Sequence, residues 1–185
     1  MSVQPRSVAE LQRLLAEGAR VKFLFFWGHQ PDRRGVGAGC LSQWFPSPFV
    51  VDGHEFATAE HYMMWRKAVL FDDHETAARI LAAQHPHRAK NLGRQVRGFD
   101  QRRWDEERYG IVVAGSVAKF TQHEELGDFL RGTGERVLVE ASPLDRIWGI
   151  GLAADDPAAR DPASWRGSNL LGFALMEARS QLPAR

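Results

Sequence analysis

Apolar residues recur along this chain with two different periods, and the changes between them mark its elements. Over Ser7 to Glu17, the residues Val8, Leu11, Leu14 and Leu15 fall at helical spacing, and Gly18 is placed to end that helix. Val21 to Trp27 is a short apolar and aromatic run that reads as a buried strand. A Gly-rich loop, Gly35 to Gly39, leads into Leu41-Ser42-Gln43-Trp44-Phe45, and Phe49 to Val51 reads as a strand closed by an Asp52-Gly53 turn. Helices dominate from there. The pattern predicts Thr58 to Phe71 with Thr58 as N-cap, then Asp73 to Ala83, then a short helix over Pro86 to Gly93. The long stretch Arg102 to Gln122 carries Trp104, Ile111, Val112, Ala118 and Phe120, with Gly110 and Gly115 as the points where it would bend. Glu124 to Leu130 continues as a helix, Val137 to Ala141 and Ile147 to Leu152 read as strands, and Asp155 to Pro162 reads as a polar loop. Ser168 to Leu182 is the last helix. The expected fold is α+β, a single helix-rich compact domain with a few short strands. Residues 1–20 form an N-terminal tail and helix, and 21–182 the domain proper.

Composition narrows the classes of function. With 185 residues, 44% hydrophobic and 25% charged, the chain is long enough to close one core and has the balance of a folded globular protein. A formal net charge of +1 lacks the basic excess of a dedicated duplex-DNA or membrane-surface binder, yet leaves room for a small anionic ligand held by a few local cations. Cys40 is the only cysteine, which excludes an intramolecular disulfide and reads as a packed thiol in a reducing compartment. Met1 to Glu10 lacks the apolar core of a signal peptide, and no run reaches membrane-spanning length, so the expected location is the cytoplasm.

Four clusters can carry chemistry. Glu60 and Lys67 are about two helical turns apart and project from nearly the same side of one helix. Spacing alone allows two readings: a site face, or a carboxylate that complements the helix N-terminus and a solvated lysine. Glu140, Asp145, Trp148, Gly149 and Gly151 fall at strand ends and a turn, where Trp148 either stacks on a planar ring or belongs to the core. Ser168 or Asn169 would cap the last helix, whose start is a natural anion pocket. Lys119, and the Lys90-Asn91-Leu92-Gly93-Arg94 segment, add cations that spacing alone assigns to solvated faces. No metal site is expected, since His85 and His87 flank a proline and His54 and His61 lack partners at ligand spacing. Without a Gly-x-Ser-x-Gly elbow there is no serine nucleophile of that type either.

Taken in order, these segments resemble one family. Leu41 to Phe45, Ala59 to Met64 with Lys67-Ala68, Lys90 to Arg94, Ala118-Lys119-Phe120, Leu130 to Gly134, Val139 to Ser142, Asp145 to Gly151, and Trp165 to Gly172 with Leu175-Met176 and Arg179 are similar to the NADAR, or YbiA-like, family over roughly Phe23 to Leu182. The resemblance implies an N-glycosidase that needs no cofactor or metal. One branch of the family hydrolyses the ribosylamino bond of phosphorylated riboflavin-pathway intermediates. Another removes ADP-ribose from guanine bases of nucleic acid. Two departures bear on substrate choice: Gln43 stands where the family has Asn, and Trp65-Arg66 where Ala-Gln is common.

On that resemblance, the expected catalytic residues are Glu60, Lys67 and Asp145, and the expected substrate contacts are Trp104, Lys119, Glu140, Trp148, Gly149 and Asn169. Breaking a ribose–nitrogen bond builds positive charge on the sugar, which calls for a carboxylate near the anomeric carbon. Glu60 would stabilise that charge or activate water, with Asp145 or Glu140 as the second carboxylate. Lys67 would hold a phosphate or hydroxyl, or tune Glu60. Lys119 and Asn169 would bind phosphate or sugar hydroxyls, and Trp148 and Trp104 would stack on the departing base. The expected partner is a small phosphorylated ribosyl-base compound or an ADP-ribosylated guanine. A module that binds such a nucleotide without cleaving it is the rival reading.

Overall fold

The computed structural model describes residues 4–31 and 35–184, so Met1 to Val3 of the expected tail lie outside the described residues. In chain order it runs α1 (Val8–Ala16), β1 (Phe23–Phe26), β2 (Phe49–Val51), β3 (His54–Phe56), α2 (Ala59–Leu70), α3 (His74–Leu81), α4 (Pro86–Gly93), α5 (Gln101–Gln122), α6 (Glu124–Gly132), β4 (Val137–Glu140) and α7 (Leu170–Gln181). The α+β expectation holds, with helices far outweighing strands. α1 docks through fully buried Leu11, and the Gln12 amide donates to the Pro162 carbonyl at 3.0 Å.

β1 and β4 form a parallel pair, Phe23 opposite Val137 and Phe26 opposite Glu140, so α2 to α6 all lie in the crossover between two adjacent strands. A parallel pair must be covered on both faces, and Val137, Leu138 and Val139 are fully buried as that requires. β2 and β3 form a hairpin whose two turn residues, Asp52 and Gly53, have φ of 50° and 77°. This is the left-handed geometry that a two-residue Asp-Gly turn supplies. The sequence pattern stops at that turn and misses β3, because His54-Glu55-Phe56 is three residues long with two of them exposed. Each short sheet is finished by a side-chain amide in place of another strand. Gln122 accepts from Val50 N–H at 2.9 Å and donates to Val50 O at 2.8 Å. Asn169 accepts from Glu140 N–H at 2.9 Å and donates to Leu138 O at 2.9 Å.

α2 sits at the centre, packed by α3, α4 and α5. Thr58 caps it, its hydroxyl oxygen accepting the His61 N–H at 3.4 Å. The His61 ring is pinned between Thr58 and the Ala83 carbonyl at 3.0 Å, and burial lowers its basicity, so it is a neutral structural histidine. α5 runs as one unbroken helix through both glycines. Gly115 instead lets α5 approach α2, since a Cβ there would lie 2.5 Å from the Tyr62 ring.

Two other expectations are corrected. Ile147 to Leu152 is a turn and not a strand. The Asp145 carboxylate takes the N–H groups of Ile147 and Trp148, both at 2.8 Å, and Gly151 has φ 69°, so the backbone closes on itself in place of a ladder. Asp155 to Pro162 contains 3₁₀ turns at Pro157–Arg160 and Pro162–Ser164, capped by Asp156 and Asp161.

Candidate active site

Glu60 lies in the first turn of α2, its backbone N–H donating to Gln43 O at 2.9 Å and its side chain only 3% exposed. The Trp44 side chain stands beside its carboxylate and lowers its pKa, while Oε1 is buried with no hydrogen-bond partner among the described residues. Burial pushes its pKa up to about 7, against the opposing pull of Lys90 and Trp44 and with some help from Asp145. Glu140, at the end of β4, has the same character. Its Oε2 is buried with no partner among the described residues, and burial, reinforced by Asp145, pushes its pKa up to about 8. Asp145 is fixed differently: one oxygen is committed to the turn it closes, and its charge faces both glutamates.

The three carboxyl groups line one cavity of about 340 Å³, together with Lys67, Trp104 and Trp148. Six of the nine residues expected from the sequence therefore meet in one place. The Lys67 ammonium lies 4.2 Å from the Phe99 ring centroid and 5.5 Å from that of Trp104. Burial, then the neighbouring Arg94 guanidinium, lowers its pKa. Trp148 is half-buried; it packs on the core and also lines the cavity.

The cavity is also lined by residues the sequence reading did not select: Trp44, Lys90, Arg94, Leu144 and Ile147. Lys90 and Arg94 stand one turn apart on α4, which was the available signal, and no ion pair holds Lys67, Lys90 or Arg94 among the described residues. The cations acting on Glu60 are thus Lys90 and, more weakly, Arg94, and not Lys67. Trp44 and Ile147 bring apolar surface, and Leu144 stands almost fully exposed at the mouth.

Lys119, Gly149 and Asn169 are not on the cavity wall. Lys119 is 1% exposed and donates to the carbonyls of Cys40 at 2.7 Å and Ser42 at 3.1 Å. At Gly149 a Cβ would lie 2.9 Å from the Glu140 carbonyl oxygen, so the glycine admits β4 and not a ligand. Asn169 is 0% exposed, sits at φ 50°, and spends its amide on β4, leaving α7 without a side-chain cap. Nor is the start of α7 an anion pocket. The N–H groups of Ser168, Asn169, Leu170 and Leu171 are taken by the carbonyls of Arg146, Gly149, Ile147 and Trp148. Among the described residues no three His, Cys, Asp or Glu side chains are arranged to hold a metal ion, and no helix is long and apolar enough to cross a membrane.

Residues 25–183 match the NADAR domain family. The chain belongs to that family. It is 41% identical over 165 residues to N-glycosidase R617 of Acanthamoeba polyphaga mimivirus, an alignment covering 86% of this chain and 96% of the relative. N-glycosidase Npun_R5314 of Nostoc punctiforme is 33% identical, with 78% and 85% covered. N-glycosidase YbiA of Escherichia coli is 31% identical, with 78% and 81% covered. The NMR structure of the E. coli protein YbiA superposes with a TM-score of 0.70 at 28% identity, covering 88% of this chain and 86% of that one. This NADAR domain accordingly has the YbiA fold, and the cavity described above lies within the matched residues.

Proposed function

We propose that this protein hydrolyses the bond between a ribose and a nitrogen of a nucleobase-like compound, either a phosphorylated ribosylamino pyrimidine or an ADP-ribosylated guanine. By family it is an N-glycosidase, a hydrolase acting on N-glycosyl bonds. The observation that carries the reading is the pair Glu60 and Glu140, each with a buried carboxyl oxygen that has no hydrogen-bond partner among the described residues, and both lining one cavity beside Asp145. Buried polar atoms without partners are rare in a finished fold, and a cluster of them in a cavity marks a place where a ligand completes the bonding.

The division of labour follows from the electrostatics. Glu60, poised near neutrality, is the carboxylate that faces the developing sugar cation or takes a proton from the attacking water. Glu140, held protonated to higher pH, supplies the proton to the departing nitrogen, and the fixed charge of Asp145 keeps that proton in place. Water thus adds hydroxyl to the anomeric carbon and a proton to the base. Trp104 and Trp148 offer ring faces to the base, and Lys67, Lys90 and Arg94, in no ion pair among the described residues, offer charge to phosphate.

Purified protein incubated separately with a phosphoribosylamino pyrimidine and an oligonucleotide bearing ADP-ribosylated guanine should release free base from one of them, read by chromatography. Tight binding without release from either would make the protein a nucleotide-binding module and overturn the proposal.

A further inference from the structure

Lys119 is a buried cation with no carboxylate partner among the described residues. It is 1% exposed, its ammonium lies 5.0 Å from the Phe120 ring centroid and 5.5 Å from that of Phe45, and its hydrogen bonds go to two backbone carbonyls. An ammonium taken out of water without an anion is expensive, and an apolar side chain of similar length would fill the slot more cheaply. The two carbonyls explain its presence. They belong to Cys40 and Ser42, in the 3₁₀ turn Ala38–Leu41 and the residue that follows it. The next residue, Gln43, accepts the Glu60 backbone N–H through its carbonyl, and the one after, Trp44, lines the same cavity as Glu60 and lowers its pKa. The Ser42 hydroxyl oxygen in turn accepts the Trp44 N–H at 3.1 Å. α5 therefore reaches the other side of the site through one charged tether.

We propose that Lys119 is a positioning residue that holds the Cys40–Trp44 segment against α2 and so fixes the Trp44 side chain beside the Glu60 carboxylate. It touches no substrate. Burial lowers its pKa to about 8, so around neutrality it is a charged donor to carbonyls, a stronger tether than a neutral one. The groups bearing on the Glu60 carboxylate are Trp44 from this segment, Lys90 and Arg94 from α4, Glu140 from β4 and Asp145 from the turn after it. Of these only Trp44 depends on Lys119.

The inference rests on Glu60 acting at the glycosyl bond, but its test does not need turnover. The Glu60 side-chain carboxyl is followed by NMR in protein labelled at glutamate, with the resonance assigned by its loss in Glu60→Gln. In Lys119→Met the Glu60 titration midpoint should rise by about one pH unit or more, the scale of losing a polar neighbour that favours the carboxylate. Trp44→Phe should give the same rise with Lys119 intact, and the double variant no further change, because both act through one contact. In assays kcat near neutrality should fall several-fold with KM held. If Lys119→Met does not fold, Lys119→Gln is read in the same way. An unchanged Glu60 midpoint in a folded variant, or rises that add in the double variant, overturns the role. Absence of hydrolysis by the unmodified protein would count against the proposed reaction and leave this titration readable.

Discussion

Two groups of buried polar side chains sit a few residues apart in this fold and are treated in opposite ways. Asn169, Lys119 and His61 are fully buried, and each spends its polar atoms on neighbouring backbone or a hydroxyl. Glu60 is buried as deeply and Glu140 partly so, yet each keeps a buried oxygen with no partner among the described residues and feels the charge of Asp145. The first group is scaffold, complete as it stands. The second is stressed by design of its surroundings, and the stress points into a cavity. Burial alone does not separate a structural polar residue from a functional one; the state of its hydrogen bonds does.

The largest contrast should come from Glu60. Glu60→Gln removes the carboxylate and should lower the rate by roughly 10²-fold or more, the scale of a general acid–base contribution. It should also stabilise the fold. A carboxyl raised from 4.5 to about 7 contributes stability that is fully present below the unfolded pKa and is lost as pH rises through 7. Near neutral pH and above, the substitution should therefore recover on the order of 3 kcal/mol, read as a higher midpoint in urea. Wild-type activity in the variant, or a lower midpoint, would place Glu60 with the scaffold.

Asn169 should respond in the opposite sense. Asn169→Ala leaves Leu138 O and Glu140 N–H unpaired in the interior and puts alanine at φ 50°, a loss of roughly 3 kcal/mol in denaturant unfolding. Its activity per folded molecule should fall less than that of Glu60→Gln. A variant as stable as the parent but unable to bind substrate would restore Asn169 to the site.

The sequence made the two groups look alike, and the reason is physical. Helical spacing placed Glu60 and Lys67 on one face, and both do line the cavity, because two turns of α2 are a local, rigid relation. Lys119 and Asn169 sit in motifs just as distinctive, but what their side chains meet depends on contacts 79 and 31 residues away, which no local pattern encodes. The same holds for Lys90 and Trp44, which reach Glu60 only after α4 and the segment before β2 pack on α2. Ile147 to Leu152 misled for a different reason: its apolar residues are strand-like, but Asp145 offers their backbone a closer partner than a ladder.

Trp148 belongs partly to each group, packed on the core and open to the cavity, so its truncation should divide the same way. Trp148→Ala should weaken substrate binding by roughly tenfold, within the range of one base–aromatic stack. Binding of substrate to the inactive Glu60→Gln protein and to its Trp148→Ala double variant, by calorimetry, isolates that loss from turnover. Unchanged affinity alongside a lowered melting temperature would leave Trp148 wholly to the core.

The smallest effect tests whether Glu60 and Glu140 act as one unit. With Glu60 needed ionised and Glu140 needed protonated, kcat/KM should peak between about 7 and 8, falling on the acid side as Glu60 gains its proton and on the alkaline side as Glu140 loses its own. The two limbs belong to the pair, since each carboxyl raises the other or shares Asp145 and Lys90 with it. Lys90 pulls both downward, so Lys90→Gln should move both limbs to higher pH together, by less than about one pH unit because burial remains the larger cause. A shift confined to the acid limb would separate the two carboxyls and leave Glu140 titrating on its own. A shift of both to lower pH would mean that Lys90 opposes their ionisation, against the sign of its charge at the mouth of this cavity.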